Sequence, residues 1–355
     1  MANRGFRGGE LVGESAAIAP SPWVASLLGQ NQGVVLLERA IARDHVAPAY
    51  LFAGPDGVGR GLAARCLAQL LFSPPGSSSP SPRLIKRIQE GNHPDLLWVE
   101  PTYTDKGKLI PVSQAAEAGI KTRAAPQIRL EQVRQIGQFL GRQPLEEGRS
   151  LVVLESADTM AEGAANGLLK TLEEPGQATI ILLAPSADAL LPTLVSRCAR
   201  IPFRRLSLPE VKTVLRQGGH DEVVNQPQVL ALAQGSPGAA LAHWENLQGL
   251  SEELRSALEL PVTNTVEALT LAKHITKELT TDGQIWLVTY LQHRYWSAIA
   301  TTGGGAIGTG ESTASPMHLS PMHLFEQARQ QLRGYVQPRL VWEVTLMKLR
   351  DFSRR

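Results

Sequence analysis

An apolar run, Ala49-Tyr50-Leu51-Phe52-Ala53, breaks on Gly54-Pro55-Asp56-Gly57-Val58-Gly59-Arg60-Gly61 and resumes as an amphipathic stretch from Leu62. Strand, glycine-spaced turn and helix in that order are the context of a phosphate-binding loop. The glycines let backbone N–H groups converge, and the following helix N-terminus favours an anion. Gly54, Gly57, Gly59 and Arg60 are therefore candidate phosphate contacts. A working loop also needs a lysine for the terminal phosphates and a Ser or Thr hydroxyl for Mg²⁺. Arg60 and Gly61 stand in those places. Arginine keeps the charge on a bulkier planar fork, whereas glycine offers the metal no ligand. The competing reading is a strand-to-helix turn that never meets nucleotide.

The surrounding chain reads as an α/β domain with a mainly parallel sheet. Strands are expected at Ala49–Ala53, Asp95–Glu100, Leu151–Glu155, Thr179–Ala184 and Arg200–Phe203, with helices at Gly33–Arg43, Leu62–Phe72, Leu130–Arg142 and Ala164–Glu174. Pro175 stops the last of these. Beyond Ser207 the pattern becomes helical. Pro209 and Glu210 suit a first helical turn, and Gly235-Ser236-Pro237-Gly238 makes a break. We expect a disordered extension over residues 1–21, the α/β domain over 22–205, a small helical domain over 206–247 and a fully helical domain over 248–355. A Gly/Ser/Thr-rich stretch, 301–316, is expected to be a mobile loop within the last. Ser73–Pro82 is a similar Ser/Pro-rich interruption.

A second feature bears on the first. The apolar strand Leu151-Val152-Val153-Leu154 ends in Glu155-Ser156, where an active ATPase of this kind would carry Asp-Glu, one carboxylate steering Mg²⁺ and the next activating water. Ser156 cannot polarise water as a carboxylate does. Two catalytic positions are thus altered in the same direction.

Composition narrows the alternatives. The 355 residues are 43% hydrophobic with a net charge of +2, which supports a sizeable core and does not by itself imply nucleic acid. Two cysteines, Cys66 and Cys198, can build neither a disulfide framework nor a four-cysteine zinc site, and they fit a reducing, cytoplasmic setting. No apolar run reaches membrane-spanning length, and the eight histidines show no metal-ligand spacing. No metal site is expected.

Leu168-Leu169-Lys170-Thr171-Leu172-Glu173-Glu174-Pro175, followed by Leu191-Pro192-Thr193-Leu194-Val195-Ser196-Arg197-Cys198, resembles the clamp-loader branch of the AAA+ P-loop NTPases. Gly29-Gln30, His93-Pro94-Asp95 and Ala164-Ala165-Asn166 agree with it. Within that branch the chain looks like the delta-prime type of bacterial DNA polymerase III clamp-loader subunit, whose nucleotide site is commonly degenerate. The resemblance implies an AAA+ domain, a small helical lid and a helical collar. It implies as partners the motor subunits gamma and tau, the delta subunit, the sliding clamp within the complex, and primed DNA. No ATPase of its own and no cofactor are expected, ATP and Mg²⁺ being bound by the neighbouring subunit. Such a chain is nonetheless part of a DNA-directed DNA polymerase assembly, a nucleotidyltransferase. Arg197 is implied as an arginine finger acting on that neighbour's ATP, with Ser196 and Cys198 positioning it.

Some residues depart from the family. The stretch Ser73–Arg83 has no cysteine where relatives often carry a zinc module, and Ala239 follows Gly-Ser-Pro-Gly where an arginine usually senses nucleotide. The bland readings stand beside the sharp ones. Arg197 is otherwise a surface arginine paired with a carboxylate; Arg200, Arg204 and Arg205 are a basic patch or a solvated strand edge; Lys170 is exposed; Cys198 is a small packed side chain. Trp286, Trp296 and Trp342 are core residues or anchors of a subunit interface. The rival functional classes are an autonomous ATPase, in which Arg60 and Glu155 substitute for the usual residues, and a regulatory AAA-like protein without a replication partner.

Overall fold

A computed structural model describes residues 27–302 and 316–353, less positions 44, 75–76, 78, 116, 120–123, 147, 261 and 335. The expected extension over 1–21 and the interior of the expected loop over 301–316 lie outside the described residues. The chain divides between Arg204 and Arg205 into two compact units.

The first unit opens with α1 (Asn31–Ala42), β1 (Ala49–Ala53), α2 (Arg60–Leu71) and α3 (Pro82–Gln89). It continues through β2 (Leu96–Val99), a hairpin of β3 (Thr102–Asp105) and β4 (Lys108–Pro111), α4 (Leu130–Leu140) and β5 (Ser150–Leu154). α5 (Glu162–Glu173), β6 (Ala178–Ala184), the single turn α6 (Pro192–Val195) and β7 (Ala199–Pro202) complete it. Five strands form one sheet in the order β2-β5-β6-β1-β7, each pair parallel. Every residue of β5 and β6 is buried. A central parallel strand is covered on both faces, so it reads as an unbroken apolar run rather than an alternation. Ile136, Val152, Leu154, Leu168, Ile180, Leu182 and Leu194 meet in the core between the sheet and α4, α5 and α6.

The elements fall close to the expected ones, with shifted ends. β1 has the expected bounds, β2 loses one residue at each end, β6 gains one, and β5 and β7 are displaced by one; the helices start up to two residues earlier and end one or two earlier. Asp95 lies just before β2: its carbonyl accepts the Leu151 N–H at 2.8 Å, while its carboxylate accepts the N–H groups of Leu145 (2.7 Å) and Glu146 (2.8 Å). The helices α3 and α6 and the β3–β4 hairpin were not expected. Ser81 caps α3, accepting the Leu84 N–H at 3.2 Å, with Pro82 at the first helical position. The β3–β4 hairpin turns through Lys106 and Gly107, both with positive φ (47° and 79°), as a two-residue hairpin turn requires.

The second unit is helical: α7 (Leu208–Gln217), α8 (Asp221–Val224), α9 (Pro227–Ala233), α10 (Pro237–Gln248), α11 (Glu252–Glu259), α12 (Thr265–Glu278), α13 (Thr281–Thr302), α14 (Pro316–Arg333) and α15 (Pro338–Ser353). Ser207 and Glu210 form a capping box on α7, with Pro209 in its first turn. Ser236 caps α10 by accepting the Ala239 N–H at 3.1 Å. Leu254, Ala272, Ile275, Leu287, Ala328 and Leu332 belong to a second core. Trp342 lies fully inside it, its Nε1 donating to Gln284 Oε1 at 3.0 Å. This corrects the reading of Trp342 as an interface anchor: its indole is spent on the interior. Trp286 is half-buried, stacks on Tyr290 and donates to His243 Nδ1 at 3.0 Å, whereas Trp296 is exposed.

Candidate functional site

The glycine loop leaves β1 where the backbone passes close to Phe203. A Cβ on Gly54 would sit 2.3 Å from the Phe203 carbonyl oxygen and 2.6 Å from its Cβ, so only glycine lets β1 turn there. Gly57 and Gly59 take φ of 73° and 107°, the left-handed range that glycine adopts without strain. Gln30 clamps the turn from the side. It is buried; its amide nitrogen donates to the carbonyls of Val58 (3.2 Å) and Arg204 (2.8 Å), and its oxygen accepts the Arg204 N–H (3.0 Å). Arg60 opens α2 and is 8% exposed. Its Nη2 donates to the Asp56 carboxylate, while Nη1 is buried without a hydrogen-bond partner among the described residues.

The residues where a metal would sit are differently occupied. Gly61 lies one position into α2 and carries no side chain. Glu155 directly follows β5, its N–H still held by the Val99 carbonyl at 2.8 Å. Ser156 is in the left-handed region (φ 48°) and starts the turn that Thr159 closes on its carbonyl. Trp98 on β2 donates its indole N–H to Glu155 Oε2 at 2.8 Å, and the Arg65 guanidinium lies 4.3 Å from the Trp98 ring centroid. Sequence reasoning missed Trp98 and Arg65. The i, i+4 spacing of Asp56 and Arg60 was readable as an ion pair, but nothing local ties Trp98 to Glu155.

Arg197 follows the turn of α6 and is partly exposed. Its Nε and Nη2 donate to Glu173 Oε1 at 3.1 and 2.6 Å, and its Nη1 donates to the Thr193 carbonyl at 2.9 Å. The Ser196 hydroxyl donates to that same carbonyl at 3.0 Å, so both side chains converge on one exposed oxygen at the end of a helical turn. Cys198 packs against the core, and burial pushes its thiol up to about 11, which suits a packed side chain rather than a nucleophile. Arg197 does pair with a carboxylate, as its bland reading required. The pairing also fixes the guanidinium at the rim of the unit.

The remaining candidates are not gathered into this geometry. Lys170, Arg200 and Arg204 are exposed on the first unit, and Arg205 is exposed on the second, where its Nη1 donates to the Gln234 carbonyl at 2.9 Å. His93-Pro94-Asp95 is structural. His93 is buried, stacked on Phe72 at 4.3 Å between ring centroids, and Asp95 holds the 145–146 turn. Burial, followed by the nearby Arg87 charge, holds the His93 imidazole below its ordinary pKa. Among the described residues no helix is long and apolar enough to cross a membrane.

The glycine loop follows β1, Glu155 follows β5 two places away across β6, and the paired Glu173 and Arg197 lie at the end of α5 before β6 and between α6 and β7 after it. These features define a P-loop domain of the AAA+ class. The family described as "DNA polymerase III, delta subunit" matches residues 29–207, half of the chain, and "Cyanobacterial DNA polymerase III delta prime, C-terminal domain" matches residues 209–349. The chain belongs to the DNA polymerase III delta-prime subunit family. The delta-prime subunit of Bacillus subtilis is 35% identical over 180 residues, covering 50% of this chain and 48% of the relative. That of Pseudomonas aeruginosa is 31% identical over 246 residues, covering 67% and 65%. The chain thus spans less than two thirds of either relative's length. A solved DNA polymerase III gamma subunit-related protein of Thermotoga maritima aligns with 89% of this chain and 98% of its own, at 17% identity and a TM-score of 0.47.

Proposed function

We propose that this chain is a non-hydrolysing member of a clamp-loader assembly and completes the ATP site of a neighbouring motor subunit with Arg197. Its partners on this reading are gamma or tau motor subunits and the delta subunit, and the assembly places a sliding clamp on primed DNA. ATP and Mg²⁺ belong to the neighbour.

One observation carries the reading. Arg197 is held at the rim by Glu173 and the Thr193 carbonyl, while Gly61 and Ser156 deny the chain's own site a metal hydroxyl and a water-activating carboxylate. A finger needs only a fixed guanidinium at a subunit edge, where it neutralises charge building on the transferring phosphoryl group. That role survives loss of the local site.

Reconstitution with the motor subunits, delta, clamp and primed DNA tests it. Arg197→Ala should lower single-turnover hydrolysis at the facing site by about 10³-fold or more and slow clamp loading, with the assembly intact by gel filtration. An Arg197→Ala assembly that hydrolyses and loads like wild type would overturn the reading. So would Mg²⁺-dependent turnover by the purified chain alone.

A further inference from the structure

The fold class implies a nucleotide with a divalent cation, and the two halves of that site fare differently here. The phosphate half keeps its form: Gly57 and Gly59 have positive φ, α2 starts at the loop, and Arg60 is buried with Nη1 unpartnered among the described residues. The metal half does not fit. Gly61 has no ligand atom, and a Cβ built on it would meet Arg65 Nη1 at 3.5 Å and Trp98 Cζ2 at 3.9 Å. Glu155, the carboxylate that would face the cation, already accepts the Trp98 indole N–H at 2.8 Å. Arg65, one turn along α2 from Gly61, lies over the ring of the same Trp98, so a positive charge of the protein is seated on the residue that holds this carboxylate.

We propose that Trp98 and Arg65 stand in for the divalent cation. The indole N–H takes over the Glu155 carboxylate, the guanidinium stacked on the ring supplies the local positive charge, and together they close the metal position to a metal–nucleotide complex. On this account the site is rebuilt as a brace between β2, β5 and α2 rather than merely stripped of its catalytic residues. A cation brought there would have to displace a hydrogen-bonded indole and approach a fixed guanidinium, both unfavourable. The inference stands whether or not Arg197 serves a neighbour.

If loss of loop residues were the whole story, restoring them would restore the site. The test is binding of a fluorescent ATP analogue to the full chain, with Mg²⁺ and with EDTA. The loop-restored variant Arg60→Lys/Gly61→Thr should show no gain in affinity from Mg²⁺. Adding Trp98→Phe, which keeps an aromatic ring on β2 but removes the N–H, should make binding at least tenfold tighter with Mg²⁺ than with EDTA. Trp98→Ala in the same background is the second version, and circular dichroism identifies any variant that fails to fold. Mg²⁺-dependent binding with Trp98 still in place would overturn the proposal. Folded Trp98 variants that gain nothing from Mg²⁺ would overturn it as well.

Discussion

Arg197 gives two N–H donors, from Nε and Nη2, to a single carboxylate oxygen of Glu173, across the gap between the end of α5 and the turn of α6. With Nη1 on the Thr193 carbonyl, the guanidinium is tied at all three nitrogens, yet remains at the rim. Both partners are substantially exposed, so the pair adds little to folding, within about 1 kcal/mol. If Arg197 acts as proposed, the pair serves orientation: a small misplacement of a reacting or stabilising group costs on the order of 10²-fold in rate.

Glu173→Ala should therefore leave the melting temperature of the isolated chain nearly unchanged. In the reconstituted assembly it should reduce hydrolysis at the facing site by roughly 10–10²-fold, less than Arg197→Ala. Glu173→Gln keeps an acceptor oxygen and should fall between. Normal single-turnover rates for Glu173→Ala, measured beside an impaired Arg197→Ala, would show that the carboxylate does not position the arginine.

Asp95 is buried and ties the 145–146 turn to the entry of β2 through two backbone N–H groups. Replacing it by alanine leaves both donors without their acceptor. Urea unfolding should show a loss of about 3 kcal/mol for Asp95→Ala, with less for Asp95→Asn, which keeps one oxygen. An unchanged midpoint for the alanine variant would rule out this role.

Two histidines should make stability depend on pH in the same direction. Burial lowers the His93 pKa from its ordinary value of 6.5, and burial with the neighbouring His293 lowers that of His243, whose Nδ1 accepts the Trp286 indole N–H. A lowered folded pKa means that the unfolded chain binds the proton more readily. Stability is then fully present above about pH 6.5 and falls as the pH drops from there toward the folded pKa. Urea unfolding at pH 7.5 and 5.5 should show a smaller pH-dependent loss for His93→Phe than for wild type. Equal losses in the two proteins would show that His93 does not contribute.

Glycines in the first unit should separate two kinds of constraint. Gly54→Ala forces a methyl into the Phe203 backbone and should cost about 3 kcal/mol by overpacking. Gly91→Ala meets nothing within 4 Å but sits at φ 69°, so only backbone strain of about 1 kcal/mol opposes it. Thermal melts that rank Gly91→Ala as the worse substitution would contradict the steric argument.

The central strands and the glycine loop were legible because their signals are local: five- and seven-residue buried runs, and glycines at fixed spacing before an amphipathic helix. The β3–β4 hairpin was not legible. Its four-residue strands end in Asp105 and Lys108, and its turn places a positive φ on Lys106, a residue that does not announce one. Trp98 and Glu155 are 57 positions apart and meet only because β2 pairs with β5 in a particular register, Trp98 opposite Val153. Glu173 could be read as part of a motif, but its hold on Arg197 spans 24 positions and depends on how α5 and α6 dock. Trp342 looked like its neighbours in sequence. Gln284, 58 positions earlier, supplies the acceptor that lets its indole be buried.

The contact between Gly54 and Phe203 changes how a glycine loop should be weighed as a sign of phosphate binding. β7 begins two residues after Arg197 and runs directly into that contact, and the Phe203 N–H is bound to the Ala53 carbonyl at 2.7 Å. A side chain at position 54 would push β7 outward whether or not phosphate ever entered the loop. The seating of that strand is enough to require glycine at position 54. Gly54 is therefore accounted for by the seating of β7 alone, and its presence is not by itself a sign that phosphate enters the loop.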